Sequence, residues 1–166
     1  MRNDVAMTTL TNFEPQLQAR PRKPLLIPEG ANCLQLELSN GPTRELTEVR
    51  INRSFVFGLL EDNFTWSLIR LNQVVALRFQ TQDPEVSLGV SWTRKTAGEL
   101  LALLALPAPA TLWFQREPKK KVGLVLLGAT RGLVATDSHL LPFVPLQAIS
   151  CLEISSSQPK RKEFIH

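Results

Sequence analysis

Apolar and polar side chains alternate with a period of two over most of the chain, which predicts a mainly β protein. In the first clear case Leu34, Leu36 and Leu38 alternate with polar residues. The alternation ends at Asn40-Gly41, a pair that favours a tight turn with positive backbone dihedrals, so a hairpin is predicted there. The pattern of this first half predicts further strands over 46–60, 64–71 and 74–80, with a turn at 61–63.

The period changes once, near the middle of the chain. Thr96 stands three residues before Glu99, a spacing in which side chain and backbone cap each other at the start of a helix. Leucines follow on nearly all sides up to Leu106, so a short helix over 96–106 is predicted. Such a helix must be covered, either by its own barrel or by another subunit. The candidate interface residues are therefore Leu100, Leu103, Leu104 and Trp113.

Five short strands are predicted after the helix. They are expected over 111–115, 122–127, 133–136, 140–144 and 148–154, with a charged turn at 117–121. Pro142 and Pro145 flank the fourth of these strands and restrict it to an edge or a short segment, because proline cannot donate a ladder hydrogen bond.

One apolar pattern occurs twice, 75 residues apart. The segment Asp62–Phe79 aligns without a gap on Asp137–Ile154, and three positions are identical. Apolar residues coincide at six further pairs: Trp66/Leu141, Leu68/Phe143, Ile69/Val144, Val74/Ile149, Ala76/Cys151 and Phe79/Ile154. A duplication is favoured, although two unrelated strand pairs with the same period would give a similar match.

The order of these elements resembles the Sm-like family of small barrels. A short helix precedes five bent strands, and the last two strands are joined by a tight connection, Val144-Pro145-Leu146 followed by Ile149. The resemblance covers 96–154 and, less completely, 31–80, and it implies two tandem Sm-like, SH3-type barrels with a short helix before the second. The implied organisation is a disordered or mobile arm (1–24), a first barrel (25–92), a second barrel (93–155) and a disordered basic tail (156–166).

The residues by which many Sm-like proteins bind RNA are not carried over. The family has an aspartate just before its third strand, where this chain has Arg53 or Ser54 in one half and Ala129 or Thr130 in the other. A second resemblance is weaker. The segments 132–134 and 144–146 are similar to barrel strands of chemotaxis coupling proteins, but the glycine-rich centre of that family is missing between residues 80 and 118.

The net charge of +4 lies at the two ends of the chain. Residues 1–24 and 158–166 each carry +2, whereas the residues between them sum to zero. Basic arms gather phosphate groups by releasing counterions, although solubility explains such tails equally well. The candidate nucleic-acid contacts are Arg116, Lys119, Lys120, Lys121, Lys160, Arg161 and Lys162.

Signatures of catalysis and of metal binding are scarce. Asp137, Ser138 and His139 are adjacent, so their side chains point in different directions and predict a solvated turn instead of a catalytic triad. Cys33 and Cys151 lie in apolar strand patterns and are predicted to be buried free thiols. We expect no enzyme, no catalytic residues, no metal site and no cofactor, because no ligand spacing is present.

No window approaches the roughly 20 apolar residues of a membrane span, and the first residues lack the apolar core of a signal peptide. A cytoplasmic protein without membrane contact is expected. The expected function is a non-enzymatic binding or assembly module that self-associates through strand edges as a homo-oligomer and binds RNA weakly through its basic termini. The alternative is a protein-interaction adaptor that uses a barrel groove, without nucleic acid.

Overall fold

The part of the chain that the structure describes forms twelve strands and one short α-helix, which confirms the mainly β class. The structure is a computed structural model that describes residues 3–9, 26–39, 43–62, 64–81 and 89–156. The strands are β1 Asn3–Thr9, β2 Cys33–Leu38, β3 Arg44–Ile51, β4 Phe55–Leu59, β5 Thr65–Arg70, β6 Val74–Thr81, β7 Val90–Trp92, β8 Ala108–Phe114, β9 Lys121–Ala129, β10 Leu133–Thr136, β11 Phe143–Pro145 and β12 Ile149–Ser155. The helix α1 is Ala97–Leu101, and none of the described helices could cross a membrane.

All twelve strands belong to one hydrogen-bonded sheet. Eleven of them follow the order β1-β6-β2-β3-β4-β5-β12-β8-β9-β10-β11, and β7 lies off this path beside β3. The pairs are antiparallel except for β7, which lies parallel to β3. Two sets of five strands have the same internal order. In β2–β6 and again in β8–β12, the fifth strand of the set pairs with the first, and the other strands follow in sequence. The two sets meet where β5 pairs with β12.

The spacing of 75 residues in the sequence reappears in the boundaries of these elements. A 3-10 turn, Leu71–Gln73, joins β5 to β6, and a second one, Leu146–Ala148, joins β11 to β12. β6 begins at Val74 and β12 begins at Ile149, immediately after their turns. Both turns bury their first leucine, which anchors the connection in the core.

Two clusters of buried side chains form the core, and β4 and β5 contribute to both. Val56 and Ile69 belong to the first cluster, together with residues of β2, β3 and β6. Phe57, Trp66 and Leu68 belong to the second cluster, together with α1 and the strands of the second set. Because β4 and β5 are covered on both faces, the two halves share this pair as a wall. The strands of both halves therefore belong to one continuous sheet.

The helix has the predicted capping box but is shorter than predicted. Thr96 Oγ1 accepts a hydrogen bond from the Glu99 amide at 3.2 Å, and Glu99 Oε1 accepts one from the Thr96 amide at 3.3 Å. After Leu101 the amides of Leu103 and Leu104 bond to carbonyls three residues back, the tighter 3-10 pattern that commonly closes a helix.

The predicted strand over 46–60 is in fact two strands. Asn52 Oδ1 accepts hydrogen bonds from the amides of Ser54 and Phe55, each at 2.8 Å, and this side-chain turn separates β3 from β4. Two further strands, β1 and β7, lie where the sequence predicts none; β1 falls within the predicted mobile arm. The rest of that arm, the Asn40-Gly41 turn and residues 157–166 lie outside the described residues.

Candidate functional site

The helix leucines face the interior of the chain. Leu100 and Leu104 are 2% and 1% exposed, and both belong to the second core cluster. Leu103 and Trp113 are half-buried. α1 lies against β4 and β9, so the chain's own strands cover the helix. The sequence left open whether the chain itself or another subunit covers the helix. Leu100 and Leu104 are covered by the chain itself.

Four basic residues of the second half lie in or next to one exposed turn between β8 and β9. Arg116, Lys119, Lys120 and Lys121 are all exposed there. Lys120 Nζ lies 3.7 Å from Glu117 Oε2, and both side chains are mostly exposed, so this ion pair contributes little to stability. The other candidate contacts, Lys160, Arg161 and Lys162, lie outside the described residues.

The Asp137-Ser138-His139 segment forms a turn, as predicted. Asp137 Oδ1 accepts a hydrogen bond from the Val125 amide at 2.9 Å, and Ser138 Oγ accepts one from the Leu141 amide at 3.2 Å. His139 is exposed. The carboxylate and the hydroxyl thus hold the local backbone. Across the described ranges, no three His, Cys, Asp or Glu side chains converge where a metal ion could bind.

Both cysteines are free thiols, which confirms that part of the prediction. Cys33 is fully buried, and its Sγ donates a hydrogen bond of 3.8 Å to Gln80 Oε1. Cys151 lies on β12 with a partly buried side chain, and burial, together with the negative charge of Glu153, raises the pKa of its thiol to about 12. At neutral pH this thiol is therefore protonated and a poor nucleophile.

Arg70, the last residue of β5, spans the junction between the two strand sets. The guanidinium carbon of Arg70 lies 4.4 Å from the centre of the Phe55 ring. Arg70 Nε donates to the Ile149 carbonyl at 2.8 Å, and its Nη2 donates to the Leu146 carbonyl. Burial lowers the pKa of Arg70. Both acceptors belong to the second set, so this one side chain bonds the two halves together beside the β5–β12 ladder.

An uncharged surface covers β10, β11 and the adjoining end of β9, at one end of the sheet. Val134 on β10 and Val144 on β11 face inward and are buried. The neighbouring positions along these strands therefore face outward, since side chains alternate across a strand. We call this surface the outer face; its residues are Leu127, Gly128, Leu133, Ala135, Phe143 and Pro145.

The outer face is continuous across the strands. Ala135 pairs with Gly128 on one side and with Phe143 on the other. Leu127 is 49% exposed and Phe143 is 64% exposed. Alternation alone did not predict this face, although the outward positions near the ends of these strands are as apolar as the inward ones.

A polar cleft of about 250 Å³ lies on the first half. It is lined by residues of β2 and β6 and by the residue that precedes β3. The lining residues are Gln35, Glu37, Thr43, Ala76, Leu77 and Arg78. Gln35 and Arg78 are direct cross-strand partners. The cleft thus offers a carboxylate and a guanidinium to a polar ligand.

In comparisons with known proteins, the chain matches no protein-family model, no curated protein and no solved structure. The function of the chain is therefore inferred from its own geometry.

Proposed function

We propose that this chain is a non-enzymatic binding and assembly module built from two Sm-like barrel units that associate through strand edges. The observation that carries the proposal is the β5–β12 pairing. The fourth strand of the first set runs antiparallel to the fifth strand of the second, from Thr65–Ser155 to Ile69–Cys151. The common strand order and the two equivalent 3-10 turns support treating each set as one unit.

Strand edges at the two ends of the sheet would allow one copy to meet another. β1 ends the described sheet on one side and β11 ends it on the other. A strand that pairs with such an edge gains main-chain hydrogen bonds without requiring a particular side chain. We propose self-association into a homo-oligomer on this ground.

Weak RNA binding is the second part of the proposal. The exposed turn with Arg116 and Lys119–Lys121 would contact phosphates, together with the basic tail. Such contacts release counterions and carry no base specificity.

Light scattering of nuclease-treated protein tests the self-association. We expect a mass that is a multiple of the 18.6 kDa chain. A monodisperse single chain at every concentration would contradict the proposal. The ratio of absorbance at the nucleic-acid and protein maxima, recorded before nuclease treatment, reports whether nucleic acid co-purifies.

Salt dependence tests the RNA contacts. For single-stranded RNA, log K falls with log salt along a negative slope. Replacing Lys119, Lys120 and Lys121 by glutamine should reduce the magnitude of this slope by about 2, because each lost phosphate contact removes about 0.7. The control is Arg131→Gln, which removes one exposed cation from another loop. Equal slopes for the wild type and the triple variant would remove the turn from the proposed RNA surface.

The polar cleft favours a second candidate, a protein-interaction adaptor that works without nucleic acid. Glu37 would pair with a basic group of a partner. Under this alternative a partner recovered with the wild-type chain is lost with Glu37→Gln but kept with Lys120→Gln. Loss of the partner on nuclease treatment would exclude the adaptor.

A further inference from the structure

We propose that the outer face of β9, β10 and β11 docks against the same face of a second copy, so that two chains pair around a twofold axis. This rests on the proposed function, from which it takes the self-association, and it places the contact on the face beside the β11 edge instead of on the edge itself.

The outer face has the chemistry of a contact surface. Six outward residues on three adjacent strands carry no charge, and Phe143 is 64% exposed at its edge. Contiguous apolar surface of this kind marks interaction sites in soluble proteins, whereas single exposed apolar residues do not. Aromatic side chains, phenylalanine among them, are enriched in protein interfaces relative to the rest of the surface.

The corresponding face of the first strand set is covered within the chain. Phe57 on β4 pairs with Leu68 on β5, just as Ala135 on β10 pairs with Phe143 on β11. Each of these strand pairs leads into a 3-10 turn at the same spacing. Phe57 and Leu68 are fully buried in the second core, under the second set of strands. The face that is buried in the first set is therefore exposed to solvent in the second set.

The edge of β11 offers little for strand pairing. The Pro142 carbonyl accepts a hydrogen bond from the Thr136 amide, and the Leu146 amide donates one to the Gly132 carbonyl. Pro142 and Leu146, which flank β11, therefore direct these backbone groups towards β10. Because such groups alternate along an antiparallel strand, Phe143 and Pro145 direct theirs outward, and Pro145 has no N–H to donate. Contact through the face is thus favoured over contact through this edge.

A second copy placed head to tail would meet an occupied edge. Within the chain, β12 is the fifth strand of its set and continues the sheet beside β5. A second copy that continued the sheet beside β11 in the same way would have to use the fifth strand of its other set, β6. The outer side of β6 already pairs with β1, over Asn3–Thr81 to Thr9–Ala76. Twofold pairing needs no free edge, and an uncharged face meets itself without repulsion. Such self-complementary dimers are the commonest soluble oligomers.

Phe143→Glu tests the proposal, because it places a charge in the contact surface at a position that is 64% exposed in the single chain. The matched control is Phe64→Glu, which changes a phenylalanine that is 52% exposed in the turn between β4 and β5. We expect the wild type and Phe64→Glu to dimerise alike by light scattering and sedimentation. Phe143→Glu should raise the dimer dissociation constant at least about 30-fold, the effect of losing one anchor residue.

Each outcome separates this inference from the proposed function. An oligomer that persists in Phe143→Glu would overturn the outer-face contact and leave strand-edge association standing. A mass that keeps growing beyond two chains would overturn the twofold arrangement in favour of a head-to-tail one. A wild type that stays monomeric would overturn both. Circular dichroism and thermal unfolding of each variant check that the chain still folds.

Discussion

At the scale of single residues, aromatic side chains on β4 and β5 form part of the second core. Trp66 is fully buried and stacks on Phe57, with ring centres 5.1 Å apart and planes 16° from parallel. Both side chains belong to the second core although their strands belong to the first set. The stability of the second half therefore depends on residues of the first.

Truncating Trp66 should destabilise the whole chain. We expect Trp66→Ala to lower the free energy of unfolding by about 3–5 kcal/mol, the usual effect of removing a large buried aromatic side chain. Phe64→Ala, at a half-exposed position two residues away, should change it by less than about 0.5 kcal/mol. Urea unfolding measures both. A loss below about 1 kcal/mol for Trp66→Ala would contradict the shared wall.

The buried thiol of Cys151 gives a prediction for alkaline pH. Because its pKa is raised to about 12 in the folded chain, the unfolded chain ionises first as the pH rises. This residue's contribution to stability is therefore complete below the unfolded pKa, near 9, and is lost between about pH 9 and pH 12. The wild type should lose stability over that window more steeply than Cys151→Ala. Equal pH dependence of the two proteins would contradict the shift.

At the scale of elements, the sequence predicts what is determined locally. The capping box of α1 needs only Thr96 and Glu99, and it forms as predicted. The turn at Asn52 is equally local, but the apolar residues on both sides of it hid it within one long strand pattern. β1 and β7 could not be found in this way, because they are strands only through their pairing with β6 and β3, which lie far along the chain.

The packing of α1 gives a prediction at the same scale. Replacing glycine by alanine inside a helix normally stabilises it by up to about 1 kcal/mol. At Gly98, however, an added Cβ would lie 1.6 Å from the Thr130 carbonyl oxygen, a backbone atom that cannot move alone.

We therefore expect Gly98→Ala to destabilise the chain by about 1–3 kcal/mol, the range of overpacked sites. The matched control is Gly123→Ala on β9, where an added Cβ meets nothing within 4 Å, and which should stay within about 0.5 kcal/mol of the wild type. Thermal unfolding compares the three proteins. A Gly98→Ala chain as stable as the wild type would show that α1 does not pack against the 130–131 backbone.

At the scale of the whole molecule, the way the sheet closes decides which surfaces are free. The sequence predicted a charged turn at 117–121 and an apolar pattern repeated at a spacing of 75 residues, since each can be read from residues near one another in the chain. It did not predict that the second set would cover Phe57 and Leu68, or that Phe143 would be left bare. Those outcomes depend on how β5 meets β12, which no local pattern records.

The β5–β12 pairing is the feature on which the account of two joined units depends, and a disulfide across it tests it most directly. Thr65 and Ser155 are cross-strand partners at its end. Cysteines at directly paired positions fall within the Cα separation that a disulfide requires, about 4.4–6.8 Å.

Thr65→Cys combined with Ser155→Cys should form this bond on mild oxidation, within one chain of 18.6 kDa. Peptide mapping separates it from the native cysteines. Thr65→Cys combined with Thr111→Cys is the control, because Thr111 lies on β8, one strand beyond β12, and should not be linked. The account predicts the intramolecular bond for the first pair alone. Absence of that bond, or a bond that joins two chains, would contradict it.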